Sequence, residues 1–408
     1  AWAKAYADPS TGMDDLMLQA EDILQTMPDD SERRQLTCHL AAIKAYLAWT
    51  KGNPQLALEN VRRGMENLSE ENWAARAHLL NIKGLALQYQ GTFLEATHSF
   101  EEALIAGQMI KRVHEILYTS ANLAYVHLLQ GHLHEAFSVC QAAICQVEEN
   151  GQSPQQYPVL AHAYATMSII LLEWNELESA VASARQAVAL AEHWGQTDAL
   201  HFALTCLAHV VGAAGEFEEA FVHNKRAMQV GRTISSWYIR ISAENEIMLL
   251  LSKGDVSGAA NKFTGYWLTS EDDENQVPLL IIVSLLFQQK LYSDVVYTLE
   301  KALDGIKQKG WNRLWMKLMP FYALSLQALG RTEEALQALE LCLAAAEPEG
   351  YLRTFVERGT PMAALLKNAR SRGINIEYTT KLLAAFGLPG EDLQIESTAA
   401  NTVRSACA

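Results

Sequence analysis

Residues 91–104 read GTFLEATHSFEEAL, and three further stretches follow the same pattern: GHLHEAFSVCQAAI from Gly131, GEFEEAFVHNKRAM from Gly215 and GRTEEALQALELCL from Gly330. Weaker copies start at Gly52 (GNPQLALENVRRGM), Asn175 (NELESAVASARQAV), Gly254 (GDVSGAANKFTGYW) and Lys290 (KLYSDVVYTLEKAL). The eight starting points lie 39, 40, 44, 40, 39, 36 and 40 residues apart. So narrow a spread marks a repeat of about forty residues, the signature of stacked supersecondary units rather than of one closed core.

The pattern inside the unit specifies a helical hairpin. Counting from each starting point, alanine recurs at plus five (Ala57, Ala96, Ala136, Ala180, Ala220, Ala259 and Ala335), and apolar residues follow at plus nine and plus thirteen in the better copies, as with Phe100 and Leu104. Those offsets trace one face of a helix, the second of the pair. Seven residues before the starting point stands a small residue in six copies (Ala45, Gly84, Ala124, Ser168, Ala208 and Ala323), which lets the first helix approach the second closely. Glycine at the starting point suits a left-handed turn between them.

Composition agrees with an all-α chain. Half of the 408 residues are hydrophobic, only 19% are charged and ten are prolines; the abundant Ala, Leu, Glu and Gln are strong helix formers. A net charge of −15 opposes approach to a phosphate backbone, so no direct nucleic-acid binding is expected of this chain. The longest apolar run, VPLLIIVSLLF at 277–287, is too short to span a bilayer and reads as a buried helix, so no membrane partner is expected. The first ten residues, AWAKAYADPS, lack the cationic and apolar regions of a signal peptide. The six cysteines are scattered and read as small core residues of a reducing, cytoplasmic protein.

No catalytic motif competes with a binding role. The chain has neither G-x-x-x-x-G-K-[ST] nor G-x-G-x-x-G, and His114-Glu115 and His134-Glu135 lack the second histidine of a zincin. His127, His132 and His134 cluster around one turn but carry no recognised ligand spacing, so no metal and no cofactor are assigned. An enzyme built on a closed helical ring would need convergent acids inside it, and open repeats with small residues at the helix crossings argue against one.

The order of small, Gly, Ala, aromatic and Ala positions, best seen in Gly84, Gly91, Ala96, Phe100 and Ala103, resembles the tetratricopeptide repeat, with about six extra residues per unit. The resemblance implies a right-handed superhelix (an α-solenoid) of about eight hairpins whose first helices line a concave groove. The segment EGYLRTFVERGTPMAALLKNARSRGI with EYTTKLLAAFG, residues 349–387, closely resembles the end of the tetratricopeptide-like region of MalT-like regulators, the large ATP-dependent members of the LuxR class. Its matching elements are Gly350-Tyr351, Arg353, Phe355, Gly359, Pro361-Met362, Leu365-Leu366, Tyr378 and Leu382-Leu383. What that implies is a non-catalytic sensor that binds a small-molecule inducer or peptide, or the regulator's ATPase module, beside a DNA-binding module, with oligomers possible in the full-length protein. A stand-alone scaffold that binds a peptide or protein in the same groove is the alternative.

The expected organisation is an N-terminal helical segment (1–30), the superhelix (31–347), C-terminal capping helices (348–387) and a linker or disordered tail (388–408). Thr360 is the expected N-cap of a short helix opened by Pro361. The groove is placed by position, at ten and thirteen residues before each starting point: His78, Asn81, Tyr118, His162, Phe202, Thr205, Ile241 and Glu244, with Asn122, Arg240 and Asn245 beside them. Asn81 and Asn122, on successive repeats, have amides suited to a peptide backbone or a sugar hydroxyl, and Arg240 and Glu244 are spaced to pair with each other. Trp237-Tyr238, Tyr266-Trp267, Trp311 and Trp315 offer aromatic area for a sugar.

Overall fold

In the computed structural model, residues 12–149, 151–267 and 278–387 are described, and among them every regular element is helical. A short helix α1 (Met13–Thr26) precedes eight hairpins. These are α2 (Ser31–Thr50) with α3 (Pro54–Glu66), α4 (Trp73–Gln90) with α5 (Phe93–Met109), α6 (Val113–Leu129) with α7 (Leu133–Glu149), and α8 (Ala161–Glu173) with α9 (Leu177–Trp194). They continue with α10 (Thr197–Ala213) and α11 (Phe217–Gly231), α12 (Ser236–Lys253) and α13 (Val256–Trp267), α14 (Leu279–Gln288) and α15 (Tyr292–Gln308), and α16 (Asn312–Ala328) and α17 (Thr332–Ala346). Three short helices follow: α18 (Arg353–Val356), α19 (Gly359–Ser371) and α20 (Ile376–Ala385). The run 270–276, the first residues and the tail lie outside the described residues.

Each of the eight starting points is the turn of a hairpin. All eight adopt a left-handed backbone, including Asn175 (φ 63°) and Lys290 (φ 61°), where the glycine is missing. The residue after each one donates its N–H to the carbonyl five residues before the starting point's successor position in the helix, as Thr92 does to Leu87 at 3.0 Å and His132 to His127 at 2.9 Å. This is the Schellman closure of a helix end, and it needs the left-handed residue more than it needs glycine as such. The alanines at plus five are fully buried in all seven copies that carry one, and Val295 takes the place in the hairpin at Lys290. At minus seven the tolerance is small: a Cβ on Gly84 would lie 2.6 Å from the Phe100 ring. Ile247 and Val283 fill that position, buried, in the two poorest copies.

The superhelix winds tightly enough for later hairpins to touch earlier ones along two seams. At the first, Trp237, which opens α12, meets the turn at Gly52: a Cβ there would be 3.3 Å from the indole. Trp237 stands edge-on to Trp49 (5.8 Å) and Tyr89 (5.3 Å), and the Ser235 hydroxyl donates to the Thr50 carbonyl at 2.7 Å. Tyr46 reaches from α2 to hydrogen-bond Asp198 on α10. Burial pushes that carboxyl up to about 6, against hydrogen bonds from the Ala199 backbone, Gln196 and Tyr46.

At the second seam, Trp311 packs on Phe93 at 4.7 Å, and the Tyr351 hydroxyl reaches the Gly131 carbonyl at 3.5 Å. Its centre is Glu173, the last residue of α8, which is fully buried. Lys317 approaches its carboxylate at 2.8 Å, Arg313 at 3.2 Å and the Thr354 hydroxyl at 3.1 Å. The Leu352 N–H donates to the Glu173 carbonyl at 2.8 Å, and the Trp174 indole to the Glu349 carbonyl at 2.9 Å. Arg353 adds bonds to Asn175 and to the Ala213 carbonyl. The segment that breaks the repeat rhythm therefore packs back onto hairpins formed almost two hundred residues earlier, with Tyr351 and Phe355 buried. Thr360 is not an N-cap: α19 begins one residue before it, at Gly359, with no side-chain cap.

Candidate effector groove

The first helices of successive hairpins lie side by side, so residues at one offset form a row across them. Position minus thirteen gives His78, Tyr118, His162, Phe202 and Ile241. Three of these come together as an aromatic row: Tyr118 stands edge-on to His162 at 5.7 Å, and His162 stacks on Phe202 at 5.8 Å with 23° between planes. Two residues that sequence position did not nominate complete the wall. Trp194, ending α9, sets its edge against His114 (5.5 Å), Tyr118 (6.5 Å) and His162 (5.9 Å), and Tyr125 packs on Phe202 at 5.3 Å.

His162 is the polar element of the row. Burial pushes it down to about 4, so the ring is neutral at physiological pH. Its Nδ1 is buried and has no hydrogen-bond partner among the described residues. A neutral imidazole nitrogen either donates or accepts, depending on tautomer. His78 and His114 are also lowered, chiefly by burial.

The amides are placed differently. Asn122 donates to Asn81 Oδ1 at 3.5 Å, and Asn81 donates to Thr119 Oγ1 at 2.7 Å and to the Ala77 carbonyl at 3.2 Å. Both asparagines are buried. The same relation recurs three hairpins on, where Asn245 donates to the Thr205 carbonyl at 3.5 Å and to Asn224 Oδ1 at 2.9 Å. In this structure the Asn122–Asn81 and Asn245–Thr205 contacts tie adjacent first helices together. Arg240 Nε lies 3.7 Å from Glu244, while its Nη2 donates to Tyr89 Oη at 3.4 Å, so it serves the first seam. Burial pushes Glu244 up to about 7 despite Arg240.

The aromatic area expected for a sugar is mostly engaged elsewhere. Trp237, Tyr238 and Trp311 belong to the seams, and Trp315 is buried beneath Lys307, whose Nζ sits 4.6 Å from the ring. His134 leaves the histidine cluster and packs tilted against Trp174 at 5.1 Å. The sequence did hold a signal for Glu173 and its partners. Arg313 and Lys317, four apart in the apolar WNRLWMKLMP of α16, are cations on a helix that must be buried.

The MalT-like TPR region matches residues 38–372, most of the chain. The chain belongs to that family. Among curated proteins none matches it in sequence. Of solved structures, a Rap protein complexed with competence and sporulation factor is similar at 12% identity over 85% of this chain and 96% of that one, with a TM-score of 0.64. The apo quorum sensor NprR of B. thuringiensis is 12% identical over 84% of this chain and 96% of its own, with a TM-score of 0.48. The Rap conjugation regulator of plasmid pLS20 with the Phr* peptide is 14% identical over 79% and 78%, also at 0.48. At such identity the likeness to the first is one of fold: a tetratricopeptide-like solenoid. No helix among the described residues is long and apolar enough to cross a membrane.

Proposed function

We propose that this chain is the effector-binding sensor region of a MalT-like, LuxR-class transcriptional regulator, cytoplasmic and without a catalytic step of its own. Its partners on this reading are a small-molecule inducer or a peptide in the groove, and the ATPase and DNA-binding modules of the parent regulator. The family match supports the regulator half of the reading. The binding half rests on one observation, the Tyr118–His162–Phe202 row with the unpartnered Nδ1 of His162. An aromatic wall holding one buried polar atom offers a ligand apolar contact and a single directional hydrogen bond.

A peptide-binding scaffold acting alone uses the same wall, and the Rap protein of similar fold, solved with competence and sporulation factor, favours a peptide as ligand. Thermal shift against malto-oligosaccharides, other metabolites and short peptides, followed by tryptophan fluorescence of the parent chain compared with Trp194→Phe, identifies the ligand class. His162→Ala and Phe202→Ala should each weaken a hit about tenfold or more, the loss of one hydrogen bond or one aromatic contact. Hits that bind both variants as tightly as the parent chain would place the site elsewhere.

A further inference from the structure

The turn at Gly131 brings together three side chains that the groove does not use. His127 lies in the last turn of α6, His132 directly follows Gly131, and Glu135 lies in the first turn of α7. His127 Nδ1 is 3.4 Å from Glu135 Oε2, and His132 Nδ1 is 3.6 Å from the same oxygen. All three ligand atoms fall within 4.8 Å of one another. A tetrahedral ion with bonds of about 2.0–2.1 Å holds its ligand atoms roughly 3.3–3.4 Å apart, so two of the three edges are already near their bound length. We propose that His127, His132 and Glu135 form a binding site for a divalent transition metal, with zinc as the best match.

The state of His127 supports an ion over a simple contact. Its side chain is only 11% exposed, and its Nδ1 forms no hydrogen bond although the Glu135 oxygen is 3.4 Å away. A nitrogen and an oxygen at this separation, not aligned as donor and acceptor, can both ligate a third atom. The backbone is fixed for the purpose. The His132 N–H to His127 carbonyl bond (2.9 Å) sets both histidines across one closed turn, and Tyr351 holds that turn from outside through the Gly131 carbonyl. Two imidazoles and a carboxylate suit a borderline metal and do not suit Mg²⁺ or Ca²⁺, which take oxygen ligands. His132 and Glu135 side chains are 45% and 59% exposed, which leaves the outer coordination position to water or to a partner's side chain.

The test uses the untagged chain, stripped of metal, titrated with Zn²⁺ by calorimetry and with Co²⁺ by visible absorption. One equivalent should bind, with the Co²⁺ bands of a four- or five-coordinate site. His132→Ala and Glu135→Ala, both at exposed side chains, should each weaken Zn²⁺ on the order of 100-fold, at the upper end of what the loss of even an outer-shell partner brings. Their circular dichroism and melting without metal should match the parent chain. Absence of stoichiometric binding would overturn the proposal, and so would binding of equal strength in both variants, which would mean that the ion sits elsewhere.

Discussion

The two seams close the same superhelix with different chemistry. Trp49, Tyr89 and Trp237 join the first by ring edges, and the buried acid Asp198 there has only neutral hydrogen-bond donors. The second encloses a full ionic node, with Glu173 between Lys317 and Arg313. An aromatic seam loses contacts gradually as its surfaces part. An ionic node around a fully buried carboxylate depends on its partners, because a charge left alone there faces a large desolvation cost. The second seam should therefore be the harder to open and the first the easier; the Tyr118–His162–Phe202 row lies on α6, α8 and α10, of which α8 also carries Glu173 and α10 also carries Asp198.

The two seams should differ most at Glu173. Glu173→Ala removes the carboxylate that Lys317 and Arg313 both contact, leaving Glu357 as the nearby acid facing Lys317, and should cost about 3 kcal/mol, seen as a lower unfolding midpoint in urea and fast amide exchange in α16 and α18. Trp237→Ala should cost less, up to about 3 kcal/mol for a ring only half-buried, and its exchange should rise in α2 and α12 while α16 stays protected. Equal exchange changes in both places for either variant would mean the seams do not open separately.

Acid should separate the seams further. Burial pushes Glu173 up, but Lys317 and Arg313 outweigh it and hold the carboxyl below its usual range, so its contribution is complete at neutral pH and is lost as pH falls through that lowered value. Asp198 has the opposite sign. Its folded value of about 6 lies above the ordinary 3.8, so the ionised acid burdens the folded state at neutral pH and the burden lifts as pH falls from about 6 to 3.8. Asp198→Asn should then melt higher than the parent chain at pH 7 to 8, with the difference gone by pH 4. A difference that grew in acid would refute that reading of Asp198. The smallest effect belongs to the amide ladder: Asn122→Ala should cost about 1 kcal/mol in urea unfolding and leave both seams unchanged.

The hairpins were legible in the sequence because each has to repeat the same close crossing. Ala at plus five and a small residue at minus seven are steric demands, and they recur with little variation. Even the weak starts at Asn175 and Lys290 proved to be left-handed turns, since the closure of the helix end fixes the backbone whichever residue fills it. The row Tyr118, His162 and Phe202 was likewise readable from offset alone. The seams were not. They join residues 140 to 220 positions apart, as with Arg313 and Glu173 or Tyr351 and Gly131, and their pairing depends on how far each hairpin rotates on the last. That summed rotation also decided that Trp237 closes a seam, whereas Asn81 and Asn122 meet across neighbouring first helices, although composition and spacing made both look like ligand contacts.

The most direct measurement is nitrogen NMR of the histidine-labelled chain, with His162 assigned by its loss in His162→Gln. The imidazole should stay neutral until about pH 4, and its Nδ1 signal should move on addition of a ligand found by thermal shift. His201, already bonded to the Tyr238 carbonyl and the Ser242 hydroxyl, should hold its position. A His162 that titrates near 6.5, the ordinary value for an exposed histidine, and ignores every such ligand would contradict the groove assigned here.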